Sequence, residues 1–117
     1  FDGFATRGQR RQAESAQRQV ALNIESLRRG ISLEVQQAYL SYHGATALLA
    51  AQAEAVTQAA EALRIANLSF ENGLLTSVEL ADAELANTQT QLLHIQATHD
   101  AVIARARLAR ATGEELP

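Results

Sequence analysis

Three histidines and one pair of acids are the side chains whose chemistry could support catalysis or metal binding. His94 and His99 stand five residues apart, which places them on different faces of a helix, and no cysteine is present to complete a metal site. Glu79 and Asp82 stand three residues apart on one face, as a general acid–base pair could. No phosphate-binding glycine loop or nucleophilic serine motif accompanies them. We therefore expect no enzymatic activity, no cofactor and no metal site.

The composition predicts an all-α chain. Among 117 residues, 47% are hydrophobic, many of them alanine, and there are six glycines and one proline. The formal net charge of −3 does not suggest a nucleic acid or an anionic membrane as the overall partner. No apolar run is long enough to cross a membrane. Because the first residue is Phe rather than Met, we interpret the chain as an excerpt of a larger protein.

The stretch from Phe70 to Ala83 predicts that one helix ends and a second begins. Gly73 after Asn72 is a helix stop, since glycine adopts the left-handed conformation without a Cβ clash. Thr76 is a predicted N-cap, and Glu79 three residues later completes a capping box. The sequence therefore predicts a long antiparallel helical hairpin or coiled coil.

Heptad spacing supports a long first helix. If continuous, that helix has about 65 residues and measures roughly 95 Å. One predicted seam position carries large residues and the other carries mostly alanine, which would let a partner helix approach closely. These positions are Val35, Tyr42, Leu49, Val56, Leu63 and Phe70, and Ala38, Ala45, Gln52, Ala59 and Ala66.

The return helix repeats the pattern and ends near Gly113, with Pro117 opposing continuation. Its predicted seam consists of Val78, Leu85, Leu92, His99 and Ala106, with Ala81, Thr88, Ile95, Val102 and Ala109. On this seam His99 would be a hydrogen-bonded structural histidine, whereas His43 beside Gly44 would be solvated.

The predicted organisation has three parts. Residues 1–5 form an entry segment, a strand or loop that leads into the first helix, residues 6–113 form the hairpin, and residues 114–117 form a tail. Within the hairpin we expect helices over about 6–70 and about 77–112, with a tip at 71–76. The first third of the long helix extends past its partner, so it would need another partner or a bend near Gly30.

Charge is segregated along the chain. Residues 7–29 hold six of the ten arginines, and the cluster of Arg7, Arg10, Arg11 and Arg18 could mark a nucleic-acid site. No aromatic residues are interleaved with it, so a solvated or salt-bridging face is the favoured interpretation. Between Arg64 and Arg105 there are five acids and no other arginine or lysine, which makes the tip region acidic.

The pattern Phe70-x-x-Gly73-x-x-Thr76-x-x-Glu79-x-x-Asp82-Ala83 resembles the outer membrane efflux protein family, the TolC-like channels. The opening Phe1-Asp2-Gly3 is similar to the family's segment where a β-barrel strand passes into the long helix. The resemblance covers essentially the whole chain and corresponds to the second periplasmic helical hairpin.

The resemblance implies a homotrimeric efflux or secretion channel of the Gram-negative outer membrane, with this hairpin in the periplasm. It implies a periplasmic adaptor and an inner-membrane pump as partners, as in multidrug efflux or type I secretion, and no nucleic acid. By resemblance, Phe70, Glu79 and Asp82 form the entrance or gate. The tip residues that would contact the adaptor are Asn72, Gly73, Leu74, Leu75 and Thr76.

Two departures and two alternatives remain at this point. Leu75 stands where some members have a basic residue that restrains the closed entrance, and Glu79 stands where aspartate is common. A periplasmic adaptor hairpin is one alternative, because Arg64 and Leu68 fit its tip pattern, although Leu75 occupies the position where that pattern requires serine. A purely structural coiled coil is the other, but it leaves the acidic, capped tip unexplained.

Overall fold

The computed structural model describes residues 2–114, and it confirms an all-α helical hairpin. Helix α1 spans Asp2–Glu71 and helix α2 spans Ser77–Thr112, with no strand among the described residues. The intervening residues 72–76 form the tip. The chain divides into two units, one ending at Gln37 and the other beginning at Ala38.

The first unit is the N-terminal part of α1. Residues 2–5, which we predicted to be a strand or loop, are helical, and the Thr6 hydroxyl donates to the Asp2 carbonyl at 2.7 Å. An acid in the first turn suits the positive end of the helix dipole, which favours this earlier start. Phe1 lies outside the described residues. Every side chain from residue 2 to residue 34 is exposed.

The second unit contains the hairpin itself, and the seam predicted for α1 is correct over most of its length. Ala38, Ala45, Gln52, Ala59 and Ala66, together with the large residues Tyr42, Leu49, Val56 and Leu63, are all half-buried. Val35 in the first unit is half-buried as well. The prediction for Phe70 is wrong: its side chain is 42% exposed, and Ser69 occupies the last half-buried position.

The seam predicted for α2 is wrong in phase. Of the ten predicted positions only Ala109 is buried, and His99 is exposed rather than held in a seam. The covered face instead recurs every three or four residues along another line of the helix. Its line consists of Leu80, Ala83, Asn87, Thr90, His94, Ala97, Ala101, Ala104, Leu108 and Ala111, and half-buried Ile103 and buried Ala109 flank that line near the end of the helix.

Close approach of the two helices explains this phase. The α1 seam contains alanine at every other position, so α2 fits against it most closely with small residues of its own. Ala97, Ala101, Ala104 and Ala109 are the only buried residues among those described. Larger side chains would hold the helices apart at these levels, and most of those on α2 lie on its outer faces, while Leu80, Ile103 and Leu108 are half-buried.

Neither helix has, within residues 2–114, an apolar stretch long enough to cross a membrane.

Candidate functional site

The first part of the tip is the end of α1 at Gly73. The Gly73 backbone has φ +74°, in the left-handed region, as predicted. Its N–H donates to the Phe70 carbonyl at 3.0 Å, and the Leu74 N–H donates to the Ser69 carbonyl at 2.8 Å. This pair of bonds is a Schellman motif, which satisfies two of the carbonyls that a helix end leaves without partners. The tip is therefore a defined turn.

The apex presents a mixed surface. The Asn72 side-chain amide donates to the Leu68 carbonyl at 2.8 Å, so this residue also caps the helix. Leu74 is 79% exposed, whereas Leu75 is half-buried. Among the residues predicted to contact an adaptor, Leu74 thus offers the most exposed large apolar side chain.

The second part of the tip is the capping box that begins α2. The Glu79 N–H donates to the Thr76 hydroxyl at 3.2 Å, and the Thr76 N–H donates to the Glu79 carboxylate at 2.8 Å, as predicted. The Thr76 hydroxyl lies 2.9 Å from the same carboxylate oxygen. The two hydrogen bonds to the carboxylate lower the pKa of Glu79. The bond from the Thr76 backbone has the larger effect and the bond from its hydroxyl the smaller. Glu79 is thus a charged structural cap.

The two acids that we predicted at an entrance have different surroundings. Asp82 is exposed and forms no ion pair or hydrogen bond through its side chain within residues 2–114. Glu71 and Glu84, also exposed, lie at the end of α1 and about two turns into α2. The Asp82 carboxylate therefore has no bonding partner among residues 2–114, whereas the Glu79 carboxylate is hydrogen-bonded within the capping box.

The histidines contribute no catalytic arrangement. The His99 side chain is 70% exposed, and its Nδ1 lies 3.6 Å from an Asp100 carboxylate oxygen. The ring of exposed His43 lies edge-on to that of Tyr39, with 4.4 Å between the ring centroids. His94 lies in the covered face of α2. Its Nδ1 and the Oδ1 of Asn87 are both buried without a hydrogen-bond partner among the described residues. Over residues 2–114 no group of histidines and acids could hold a metal ion.

The outer surface of α2 carries large side chains that, except for Leu93, we predicted to lie in the hairpin interior. Large side chains on it are all more than half exposed, and Val102 and Ile95 are each 63% exposed. The other members are Val78, Leu85, Leu92 and Leu93. The signal was present in the sequence, because alanine in the α1 seam favours small residues opposite it. An exposed apolar row of this length is typical of an interaction surface.

Comparison with known proteins gives a family and no individual relative. No curated protein and no solved structure matches the chain. The outer membrane efflux protein family matches residues 1–114. The chain therefore belongs to the outer membrane efflux protein family.

Proposed function

We propose that this hairpin forms part of the wall of an outer-membrane efflux channel and that its tip lies at the periplasmic entrance. The observation that carries the proposal is the outer surface of α2, where large apolar side chains are exposed along the length of the hairpin. A monomeric hairpin gains nothing from such a row, whereas a wall of helices side by side would bury it. The channel would be a homotrimer that meets a periplasmic adaptor and an inner-membrane pump.

The acids at the tip would set ion selectivity at the entrance. Asp82 is exposed and has no counterion among residues 2–114, and the Glu79 carboxylate remains charged to lower pH because its pKa is lowered. In a trimer each carboxylate would occur three times, and rings of acids favour cations. Phe70, exposed beside the turn, would pack against a neighbouring hairpin in the closed entrance.

The family match supports the channel over a periplasmic adaptor and over a purely structural coiled coil. The adaptor alternative depended on Arg64 and Leu68. The Arg64 guanidinium donates twice to Glu61 on its own helix, at 2.9 and 2.7 Å, and this exposed ion pair does not distinguish the two functions.

Single-channel conductance of the full-length protein tests the entrance. We expect Asp82→Asn to reduce cation selectivity, and Glu79→Gln to reduce it as well, since glutamine retains the capping box while removing the charge. Glu34→Gln, which removes an exposed acid from the first unit, is the matched control and should leave selectivity unchanged. Equal effects of all three substitutions, or no effect of Asp82→Asn, would contradict an entrance at this tip.

A further inference from the structure

The first turns of α1 carry a charge pattern opposite to that of the tip. Four arginines, Arg7, Arg10, Arg11 and Arg18, occur there against two acids, Asp2 and Glu14. The net charge of −3 for the whole chain conceals this cluster. We call these four residues the arginine cluster.

The arginine cluster forms no ion pair with residues 2–114. Among residues 2–114, arginine ion pairs join Arg29 to Glu25 and Arg64 to Glu61, and none involves the cluster. Its side chains are exposed, and Glu14 lies beside them without forming an ion pair within the same part of the chain. A guanidinium without an intramolecular partner keeps its donors for an external anion.

Spacing places most of the cluster on one face. Arg7, Arg11 and Arg18 follow Phe4 at successive intervals of three, four and seven residues. Phe4 and these three arginines therefore lie along one side of the helix. Arg10 flanks this line. Phe4 is 74% exposed at its outer end. An aromatic side chain followed by arginines is a combination suited to a membrane–water interface, where the ring contacts apolar groups and guanidinium groups bind phosphate.

We propose that the arginine cluster binds the phosphate headgroups of the membrane leaflet at the start of α1, with Phe4 entering the interface. The proposal rests on the proposed function, in which the tip at the end of α1 is the periplasmic entrance, so that the start of α1 is its membrane-proximal part. Charge complementarity identifies the occupant: the cluster is cationic, and the lipid surface there presents phosphates. Arginine favours phosphate because it forms two parallel hydrogen bonds with it.

Vesicle flotation of the full chain tests this assignment. We expect binding to vesicles of phosphatidylethanolamine and phosphatidylglycerol and much weaker binding to phosphatidylcholine vesicles. Salt should weaken it, since the screening length falls from about 10 Å at 0.1 M to about 3 Å at 1 M ionic strength. Each arginine removed should lower the partition coefficient about fivefold. The test variant combines Arg7→Gln, Arg10→Gln and Arg11→Gln.

The matched control removes three exposed arginines from the last turns of α2: Arg105→Gln, Arg107→Gln and Arg110→Gln. It has the same net charge as the test variant, and glutamine is a good helix former at exposed positions, so circular dichroism should show both variants folded. Equal loss of binding in the two variants would overturn the proposal, because it would indicate non-specific attraction. Equal binding to neutral and anionic vesicles would overturn it too.

Two further outcomes distinguish a failure of the headgroup site from a failure of the proposed channel entrance. Binding to immobilised polyglutamate but not to anionic vesicles would replace the membrane with an acidic protein partner and overturn the proposal. Flotation does not depend on conductance. Absence of selective conductance together with specific flotation would therefore overturn the entrance alone, and the reverse result would overturn the headgroup site alone.

Discussion

The two sides of α2 differ in a way that reverses the usual distribution of side chains in an isolated helix pair. The side that faces α1 is built mainly from alanine and polar residues such as Asn87, with Leu80 and Leu108 near its ends, whereas most large residues, such as Leu92 and Val102, lie outside. Small side chains let two helices approach closely, and large ones fill the space between more widely separated neighbours. The difference teaches that packing within the hairpin uses mostly small side chains and leaves the larger apolar surface exposed, as the proposed channel wall would require.

The largest expected effect on stability comes from changing the size of side chains on the two sides of α2. Ala101→Leu would force extra carbons into the closest part of the seam, so we expect it to lower the free energy of unfolding by about 1–3 kcal/mol. Val102→Ala, one residue away on the outer side, should change it by less than about 0.5 kcal/mol in the monomeric chain. Urea unfolding at concentrations where light scattering shows a monomer measures both. Equal costs would contradict the assignment of the two sides.

The turn at Gly73 is the next test, because it ends α1 and allows α2 to run back along it. With φ +74°, Gly73→Ala should destabilise the hairpin by about 1 kcal/mol, the cost of placing a Cβ in the left-handed conformation. Gly44→Ala makes the same change at an exposed position inside α1 and should stabilise it by about 1 kcal/mol. No atom would crowd either new Cβ, so backbone conformation alone separates them. Thermal unfolding of both variants should shift in opposite directions, and shifts of the same sign would exclude this explanation.

The smallest effect is the pH dependence of the capping box. The pKa of Glu79 is lowered in the folded state by hydrogen bonds from Thr76, so its contribution to stability is present above the ordinary pKa of glutamate. That contribution is lost as the pH falls through the lowered folded value. We expect Glu79→Gln to remove this part of the acid dependence and Glu84→Gln, an exposed acid nearby, to leave it in place. Acid titration followed by circular dichroism decides, and identical curves for both variants would disprove the assignment.

The sequence predicted those parts of the molecule that depend on local interactions. Gly73, Thr76 and Glu79 specify the turn through their own backbone and side-chain bonds, and the alternation of large residues with alanine specifies the seam of α1. The phase of α2 could not be derived from the same rule. Both of its faces carry a heptad, and the choice between them depends on the space that α1 leaves.

Phe70 and His94 show the same limit at single positions. Phe70 satisfies the heptad, yet the last turn of α1 brings Ser69 inward before the Schellman motif. His94 has polar atoms that a rule based on hydrophobicity would place outside, yet its position on the side with alanine brings it into the seam. Side-chain size and helix rotation decided these positions.

The position of the two capping motifs also has a kinetic consequence. In an antiparallel hairpin, contacts beside the turn join residues close in the chain, and contacts farther away close progressively longer loops. The Schellman motif and the capping box fix the short loop at the outset, so the entropic cost of each later contact is reduced by the one formed before it. We therefore expect the two helices to associate first beside Gly73 and Thr76 and then to close residue by residue toward Tyr42 and Leu108, with the tip acting as the nucleus of folding.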